Sequence, residues 1–205
     1  MRKMIDLVHQ AALIAAIGGG AVLSALLGLA LVERRFVFWP APARDSWQFV
    51  TAFGLFRLFC GATIVFALAD WGSLGWDHWS RLAVGVPLML GAFAATLHGY
   101  GFLGLDNTYC AADGLVTDGV YTYTRNPQYV SSVLATVGLG LTANSFGGLL
   151  LALALLAIYL LFALNEERWL WSNYGFAFGR YAARTPRFVD ARSVRRAKDA
   201  LARAI

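Results

Sequence analysis

Long apolar runs separated by short polar segments dominate the chain. Five runs can be delimited, at residues 11–32, 47–69, 82–105, 129–143 and 146–164. The first three have the roughly twenty residues that a helix needs to cross the hydrocarbon core of a bilayer, and the last two are shorter. The pattern therefore predicts an all-α polytopic membrane protein with about five transmembrane helices.

The last two runs predict a short helical hairpin. Asn144 and Ser145 separate them and two glycines follow, a composition that favours a tight turn. The first arm has about fifteen residues, or roughly 22 Å of helix. This length allows two interpretations, a hairpin that enters only part of the bilayer and one that crosses it fully. In either case we expect Arg125 and Glu166 to face the same aqueous layer.

Composition and charge support this interpretation. The chain is 59% hydrophobic and only 14% charged, with mean hydropathy +0.58, which excludes an ordinary soluble domain of 205 residues. Lysine and arginine are concentrated after residue 164 and in the first loop, and they are sparse in the second loop. The asymmetry predicts a cytoplasmic C-terminal helical segment and a cytoplasmic first loop. The compact form is typical of a prokaryotic plasma membrane protein.

The segment TRNPQY opens the fourth run. Pro127 suits the first turn of a helix, Asn126 can be its N-cap, and Arg125 is then an ordinary interfacial cation. Alternatively, the free backbone amides at the start of the helix and the Arg125 guanidinium form a binding site for a carboxylate or phosphate. The aromatic faces around that site would come from Tyr121, Tyr123 and Tyr129.

Glu166 and Glu167 end the fifth run, where the helix dipole disfavours anions. They are either solvated and paired with nearby arginines, or they bind an ammonium group or the hydroxyls of a sugar. Adjacent residues of a helix point about 100° apart. One carboxylate can therefore face a ligand while the other secures an arginine, and the pattern leaves the assignment open.

Three weaker signals complete the survey. Gly99 and Gly101 indicate either close helix packing or backbone exposed to a ligand, and the lone His98 gives no metal site. Arg57, in the middle of the second run, is a functional or a structural intramembrane cation, with a lipid phosphate as its natural functional partner. The basic, aromatic segment YGFAFGRYAARTPRFV is an interfacial helix attracted to anionic lipids, or a lid over a pocket.

Taken in order, DGVYTYTRNPQYVSS, the hairpin and NEERWLWSNYGFAFGRYAARTPRF resemble the C-terminal half of integral-membrane methyltransferases. These include the isoprenylcysteine carboxyl methyltransferases and the phospholipid N-methyltransferases, and the resemblance covers residues 99–188. The first group typically reads Arg-His-Pro-x-Tyr, where this chain has Asn126. The second can read Asn-Pro-x-Tyr, with a Gly-x-Gly motif matched by Gly99-Tyr100-Gly101 and a pair matched by Glu166 and Glu167. The tail is more similar to the first group.

The resemblance implies S-adenosylmethionine as the cofactor. Arg125 would hold its carboxylate, a glutamate its ammonium group, and tyrosine faces its sulfonium. The residues expected to bind it are Gly99, Tyr100, Gly101, Tyr123, Arg125, Asn126, Pro127, Tyr129, Glu166, Glu167 and Tyr181. The catalytic candidates are Arg125, Glu167 and Arg184: Glu167 or a water would take the proton of an amine acceptor, and Arg125 or Arg184 would orient a carboxylate acceptor.

The implied acceptor is a lipid or an isoprenoid-like molecule at the membrane–cytoplasm interface, with Arg57 as a substrate-binding candidate. Membrane lipids are the other expected partners, nucleic acid is not expected, and the pattern does not indicate an oligomeric state. We expect one membrane domain over residues 1–205, with N-terminal spans at 1–97, a cofactor-binding and catalytic region at 98–188 and a basic tail at 189–205. Two alternatives stay open: an NADPH-dependent enzyme similar to sterol reductases, and a non-enzymatic lipid-binding scaffold.

Overall fold

The structure, a computed structural model, describes residues 2–104 and 114–204, and these contain helices and no strand. Residue 105, the end of the third predicted span, lies outside the described residues. A 3-10 helix, Gly119–Thr122, precedes the fourth α-helix. The six α-helices are α1 (Arg2–Val32), α2 (Trp47–Ala69), α3 (Ser80–Leu103), α4 (Pro127–Thr142), α5 (Phe146–Arg184) and α6 (Ala191–Ala204).

Four of the described helices, α1, α2, α3 and α5, are long and apolar enough to cross a membrane. The prediction of an all-helical fold is confirmed, and α4 and α5 form the predicted hairpin. Four of the five predicted spans are long and apolar enough to cross a membrane, and α4 is not among them. At 16 residues, α4 is about 24 Å long, shorter than the roughly 30 Å of bilayer hydrocarbon. The main difference from the predicted elements is α5, which continues about ten residues beyond the apolar run to a kink at Gly175 and then resumes as helix to Arg184.

The bundle consists of two helix pairs joined by α5. α1 packs on α2, α3 packs on α4, and α5 contacts α1, α2 and α4. The α3–α4 pair is close because two glycines face each other's helix: a Cβ on Gly138 would lie 2.4 Å from the Met89 amide nitrogen, and one on Gly85 would lie 2.8 Å from that of Thr142. Small residues at such crossings let the helix backbones approach, as is usual in membranes.

The second loop caps the hairpin turn at one end of the bundle. Asn144 adopts a positive φ of 55°, and the Ser145 hydroxyl accepts a hydrogen bond of 2.8 Å from the Gly148 amide as the N-cap of α5. The Ser145 hydroxyl also donates to Asp70 Oδ2 at 2.6 Å, just after α2. The predicted tight turn is therefore present, at the same end as the second loop.

At the opposite end, Arg168 joins α5 to the end of α1. Its Nη1 donates to the Ala30 carbonyl at 2.9 Å, and its Nη2 donates to the Leu31 carbonyl at 2.7 Å. These bonds satisfy terminal carbonyls of α1 that have no partner within the helix. The first loop, the start of α4 and Glu166 consequently meet at this end, which we call the site end.

Candidate active site

A large cavity opens at the site end between α2, α3, α4 and α5. Its empty volume, which includes space open to solvent at the mouth, is about 1320 Å³. Aromatic rings form about half of its wall. They belong to Trp39, Phe53, Phe56, Tyr100, Tyr121, Tyr129, Tyr159, Phe162, Trp169, Tyr174, Phe178 and Tyr181.

Glu167 binds two arginines at the edge of this cavity. Its Oε1 accepts from Arg125 Nη2 at 2.8 Å and from Arg187 Nε at 2.7 Å, while Oε2 accepts from Arg187 Nη2 at 2.8 Å. The side chains of Arg125, Glu167 and Arg187 are 13%, 17% and 34% exposed. Burial lowers the pKa of the Arg125 guanidinium, and the negative charge of Glu167 only partly offsets this effect. Hydrogen bonding to Glu167 raises the pKa of Arg187. Both groups stay cationic, and the cluster is an ion-paired clasp.

The clasp forms because the chain after α5 returns to the start of α4. The Arg125 amide donates to the Pro186 carbonyl at 2.9 Å, and Asn126 Nδ2 donates to the Arg187 carbonyl at 2.9 Å. Asn126 occupies the N-cap position of α4, but its side chain bonds this returning segment instead of a helix amide. The tail is thereby held over the helix start.

Glu166 points to the other side of α5, into the cavity. Its Oε1 accepts a hydrogen bond from the Tyr129 hydroxyl at 2.5 Å and one from Trp39 Nε1 at 2.8 Å. No cation among residues 2–104 and 114–204 forms a salt bridge with it. Two neutral donors orient the carboxylate, and its charge has no cationic partner within those described ranges.

Aromatic faces surround Glu166. The Tyr129 and Tyr159 rings stack with centroids 4.1 Å apart, and the Trp39 ring meets Phe162 edge-on at 5.0 Å. Aromatic faces attract cations, and a carboxylate adds a full opposite charge. This part of the cavity therefore suits a positively charged group.

Arg125 carries an unused donor in the same region. Its Nη1 donates to the Ala182 carbonyl at 3.3 Å, Nη2 binds Glu167, and the guanidinium lies 5.9 Å from the Phe178 ring centre. Its Nε is buried and has no hydrogen-bond partner within the described part of the chain. Buried donors are rarely left unpaired, so this atom marks a position where a ligand acceptor would be favoured.

The structure brings about half of the predicted site residues to the cavity. Seven of them line it: Tyr100, Arg125, Asn126, Tyr129, Glu166, Glu167 and Tyr181. Gly99 instead packs beneath Gln128, whose Nε2 donates to its carbonyl at 3.0 Å. Gly101 faces open space, and Pro127 forms the first turn of α4.

Three further candidates lie away from the cavity wall. The Tyr123 carbonyl accepts from the Ser193 hydroxyl at 2.7 Å, so Tyr123 anchors α6. Arg184 is exposed and lines a separate depression on the surface. Arg57 is exposed on the outer face of α2, with its guanidinium 5.5 Å from the centre of the Phe53 ring, and it is not part of the cavity wall. It is a cation on the outer surface of the helix bundle.

Several important residues could not be assigned from the sequence. Trp39 carried only the signal of an interfacial aromatic in a proline-interrupted loop, yet it binds Glu166 from 127 positions away. Arg187 was one of many tail cations. Gln128 bonds the Tyr121 hydroxyl and Gly99, which closes the cavity floor. No cluster of three His, Cys, Asp or Glu side chains that could hold a metal lies within residues 2–104 and 114–204.

Comparison with known proteins gives a family match and two relatives. Residues 80–177 match the family model for phospholipid methyltransferases. The chain is 30% identical over 161 residues to the nickel-cobalt-cadmium resistance protein NccN of Alcaligenes xylosoxydans xylosoxydans, covering 78% of this chain and 73% of that protein. It is 39% identical over 83 residues to the cobalt-zinc-cadmium resistance protein CzcN of Cupriavidus metallidurans, covering 40% of this chain and 38% of that protein. No solved structure matches it.

Proposed function

Because this chain belongs to the phospholipid methyltransferase family, we propose that it transfers a methyl group from S-adenosylmethionine to a lipid-like acceptor in the cavity at the site end. The observation that carries the proposal is the Glu166 carboxylate, which faces an aromatic-walled cavity with no cationic partner from the described protein. A cationic ligand is the natural complement of that arrangement.

The cofactor fits the residues that are present. S-adenosylmethionine supplies an activated methyl group on a positive sulfonium. Glu166 would accept from its ammonium group, and the faces of Tyr129 and Tyr159 suit the sulfonium. The unpaired Arg125 Nε is available for its carboxylate. Glu167 is the less suitable of the two glutamates because both of its oxygens already bind arginine.

The shape of the bundle supports an acceptor with a long apolar part. α2 packs chiefly on α1, and α3 chiefly on α4, so the cavity wall between Phe56 of α2 and Tyr100 of α3 would face lipid when the helices cross a bilayer. A lipid or isoprenoid-like molecule could enter there with its tail still among lipids. Methyl transfer is an in-line displacement, so this chain contributes mainly alignment and the exclusion of water.

The two relatives do not select the acceptor. Their names describe resistance to metals, which is a property of a cell and not a reaction. A methyltransferase that modifies a membrane component is compatible with such a property. We therefore propose the acceptor class from the cavity alone. The metals in the relatives' names indicate which growth conditions to use for assays in cells.

We also propose that the site end is cytoplasmic, in a prokaryotic plasma membrane. The basic first loop and the basic tail lie at the same end of the bundle, as Arg168 and Trp39 show by their contacts. Concentrated lysine and arginine mark cytoplasmic segments. A reporter that is active only in the cytoplasm should be active when it is fused to the C-terminus. An inactive reporter on a folded protein would show that the site end lies on the other side of the membrane.

The first test is calorimetric titration of the detergent-purified protein with S-adenosylhomocysteine, and separately with NADPH. We expect saturable binding of the adenosyl ligand alone. Glu166→Gln keeps the shape and the acceptor oxygen but removes the charge, so it should weaken that binding about tenfold or more, since a hydrogen bond to a charged group contributes roughly 1.5–3 kcal/mol. Glu33→Gln removes an exposed carboxylate of the first loop and is the matched control.

Each result distinguishes the alternatives. Binding of NADPH in place of the adenosyl ligand would establish the reductase class, and binding of neither to folded protein would favour the scaffold. If S-adenosylhomocysteine binds, transfer of a labelled methyl group from S-adenosylmethionine into the lipid extract of membranes then identifies the acceptor. Equal affinity in Glu166→Gln and wild type would contradict the role given to Glu166.

A further inference from the structure

A second, shallow depression lies beside the cavity, on the outer side of Tyr181. It is formed by the end of α5, the start of α6 and the segment before α4, and its empty volume is about 720 Å³. The charged residues of its wall are Arg180, Arg184 and Arg196, and the others are three threonines and Tyr181. Among the described residues of this wall there is no carboxylate. Tyr181 is the residue that it shares with the large cavity.

Arg196 forms the rigid side of the depression. Its Nη1 donates to the Thr122 carbonyl and, at 3.5 Å, to the Thr185 hydroxyl, while Nη2 donates to the Arg184 carbonyl at 2.8 Å. The bond to Arg184 satisfies a carbonyl at the end of α5, and the bond to Thr122 satisfies one at the end of the 3-10 helix. The partial negative charge of these carbonyls would otherwise repel an anion. The guanidinium is thus fixed in place, and the helix end is neutralised.

Arg180 and Arg184 form the opposite side. They are four residues apart on α5, so they project from the same face of the helix, where two like charges repel each other. Both are exposed, and neither side chain makes a hydrogen bond or an ion pair within the described residues. The neighbouring carboxylates are engaged elsewhere: Asp118 accepts from the Thr117 amide and hydroxyl, and Asp190 binds Arg192. An anion between the arginines would relieve the repulsion.

The surroundings of this depression have the composition typical of segments at the level of lipid headgroups. Trp171 and Phe176 of the same helix are 51% and 87% exposed, as expected for aromatics at a membrane interface. The exposed side of α6 adds Arg195, Lys198 and Arg203, a basic surface that is attracted to anionic lipids. Arginine is the residue best suited to bind phosphate oxygens through paired hydrogen bonds.

We propose that Arg180, Arg184 and Arg196 form a binding site for the phosphate group of an anionic phospholipid, separate from the methyl-transfer cavity. The site holds the lipid as a bound component and not as the methyl acceptor. It is independent of the proposed activity, since its residues and its ligand are different. It also assigns Arg184, a catalytic candidate from the sequence, to lipid binding.

The test is native mass spectrometry of the full-length protein in detergent micelles containing dioleoyl phosphatidylglycerol or, separately, dioleoyl phosphatidylcholine. The double variant Arg180→Gln/Arg184→Gln should bind phosphatidylglycerol about tenfold more weakly than wild type or worse, because two arginines that contact the anion are removed. The matched control, Arg195→Gln/Arg203→Gln, removes the same charge from the exposed side of α6 and should change the affinity less than about twofold. Thermal unfolding verifies that both variants fold. If the Arg180→Gln/Arg184→Gln protein does not fold, the single variant Arg180→Gln is measured in its place.

Competition with inorganic phosphate separates two sources of the ligand. Displacement of phosphatidylglycerol by excess phosphate would indicate a site that accepts any phosphate group. No displacement would indicate a site that binds the phosphate only as part of an intact phospholipid. Either result supports the proposal when the Arg180/Arg184 variant alone loses binding. Equal losses in the two double variants, or none in either, would show only diffuse attraction of the basic surface and would overturn it.

Discussion

Glu166 and Glu167 are adjacent in the chain, yet their carboxylates bind different partners on different sides of α5. Glu166 faces the cavity and accepts hydrogen bonds from Tyr129 and Trp39, whereas Glu167 faces the returning tail and binds Arg125 and Arg187. The separation follows from the roughly 100° between neighbours on a helix. One carboxylate is therefore available to a ligand and the other holds the site together.

The two glutamates should respond differently to loss of charge. Glu167→Gln leaves two partly buried arginines uncompensated, and we expect it to lower the free energy of unfolding by about 2 kcal/mol, less than the ~3–5 kcal/mol of a fully buried pair because Arg187 reaches solvent. Glu166→Gln retains an acceptor oxygen for Tyr129 and Trp39 and should leave stability nearly unchanged. Thermal unfolding in detergent measures both. Equal destabilisation by the two variants would contradict the separate roles.

The α3–α4 crossing should tolerate no side chain at Gly138. Gly138→Ala places a methyl group 2.4 Å from the Met89 backbone nitrogen, and backbone cannot move aside as a flexible side chain can. We expect a loss of about 3 kcal/mol, at the upper end for overpacking.

The matched control for that substitution lies on the same helix pair. Gly91 of α3 is exposed and has open space where a Cβ would stand. Gly91→Ala should be neutral or stabilising by up to about 1 kcal/mol, since alanine favours helix over glycine. Unfolding temperatures of the two variants compare them directly. A Gly138→Ala protein as stable as Gly91→Ala would show that the helices are less closely packed.

The kink at Gly175 should matter for ligand binding as well as for stability. Its φ of 47° and ψ of −122° suit glycine alone, and the residues that follow it return Phe178 and Tyr181 to the cavity. Gly175→Ala should cost about 1–3 kcal/mol and weaken binding of S-adenosylhomocysteine in calorimetry. Gly101→Ala, next to Tyr100 but facing open space, should preserve both quantities. If binding survives Gly175→Ala unchanged, the kink does not position these rings.

Asp70 should make the hairpin turn sensitive to acid. Burial favours a higher pKa for Asp70, but hydrogen bonds from Ser145, Ser73, the Gly147 amide and His9 outweigh it and hold the pKa below its ordinary value of 3.8. A carboxylate whose pKa is lower in the folded protein stabilises it above the ordinary pKa, and the contribution disappears as the pH falls through the folded value.

The variant Asp70→Asn isolates this effect. At neutral pH it should unfold at a lower temperature than wild type, because the charged acceptor of four hydrogen bonds is lost. The difference should narrow once the pH falls below about 3.8, where wild type loses the same charge. Unfolding temperatures across this range measure it. A difference that stays constant down to the lowest pH at which the protein folds would contradict the pKa assignment.

Much of the architecture was decided by the sequence itself. Runs of apolar residues long enough to cross a bilayer can be buried only as helices in lipid, because every backbone group must find its partner within the segment. Asn144 and Ser145 between two such runs require a turn, and a turn returns the second arm to the face where the first began. The meeting of Arg125 with the Glu166–Glu167 pair follows from these local facts, and the family resemblance rested on the same residues.

The site's detailed assignment was decided only by the tertiary structure. Which glutamate faces the cavity depends on how α5 is rotated against α4, and that rotation is set by packing along the whole helix. Trp39 reaches Glu166 because α1 is tied to α5 through Arg168, a contact between distant segments that no local pattern encodes. Arg184 lies outside the cavity because the kink at Gly175 redirects the last turns of α5. Local sequence determines where helices and turns form. The rotation of each helix about its axis and its packing against the others arise from many distant contacts together, and they determine what each side chain can bind.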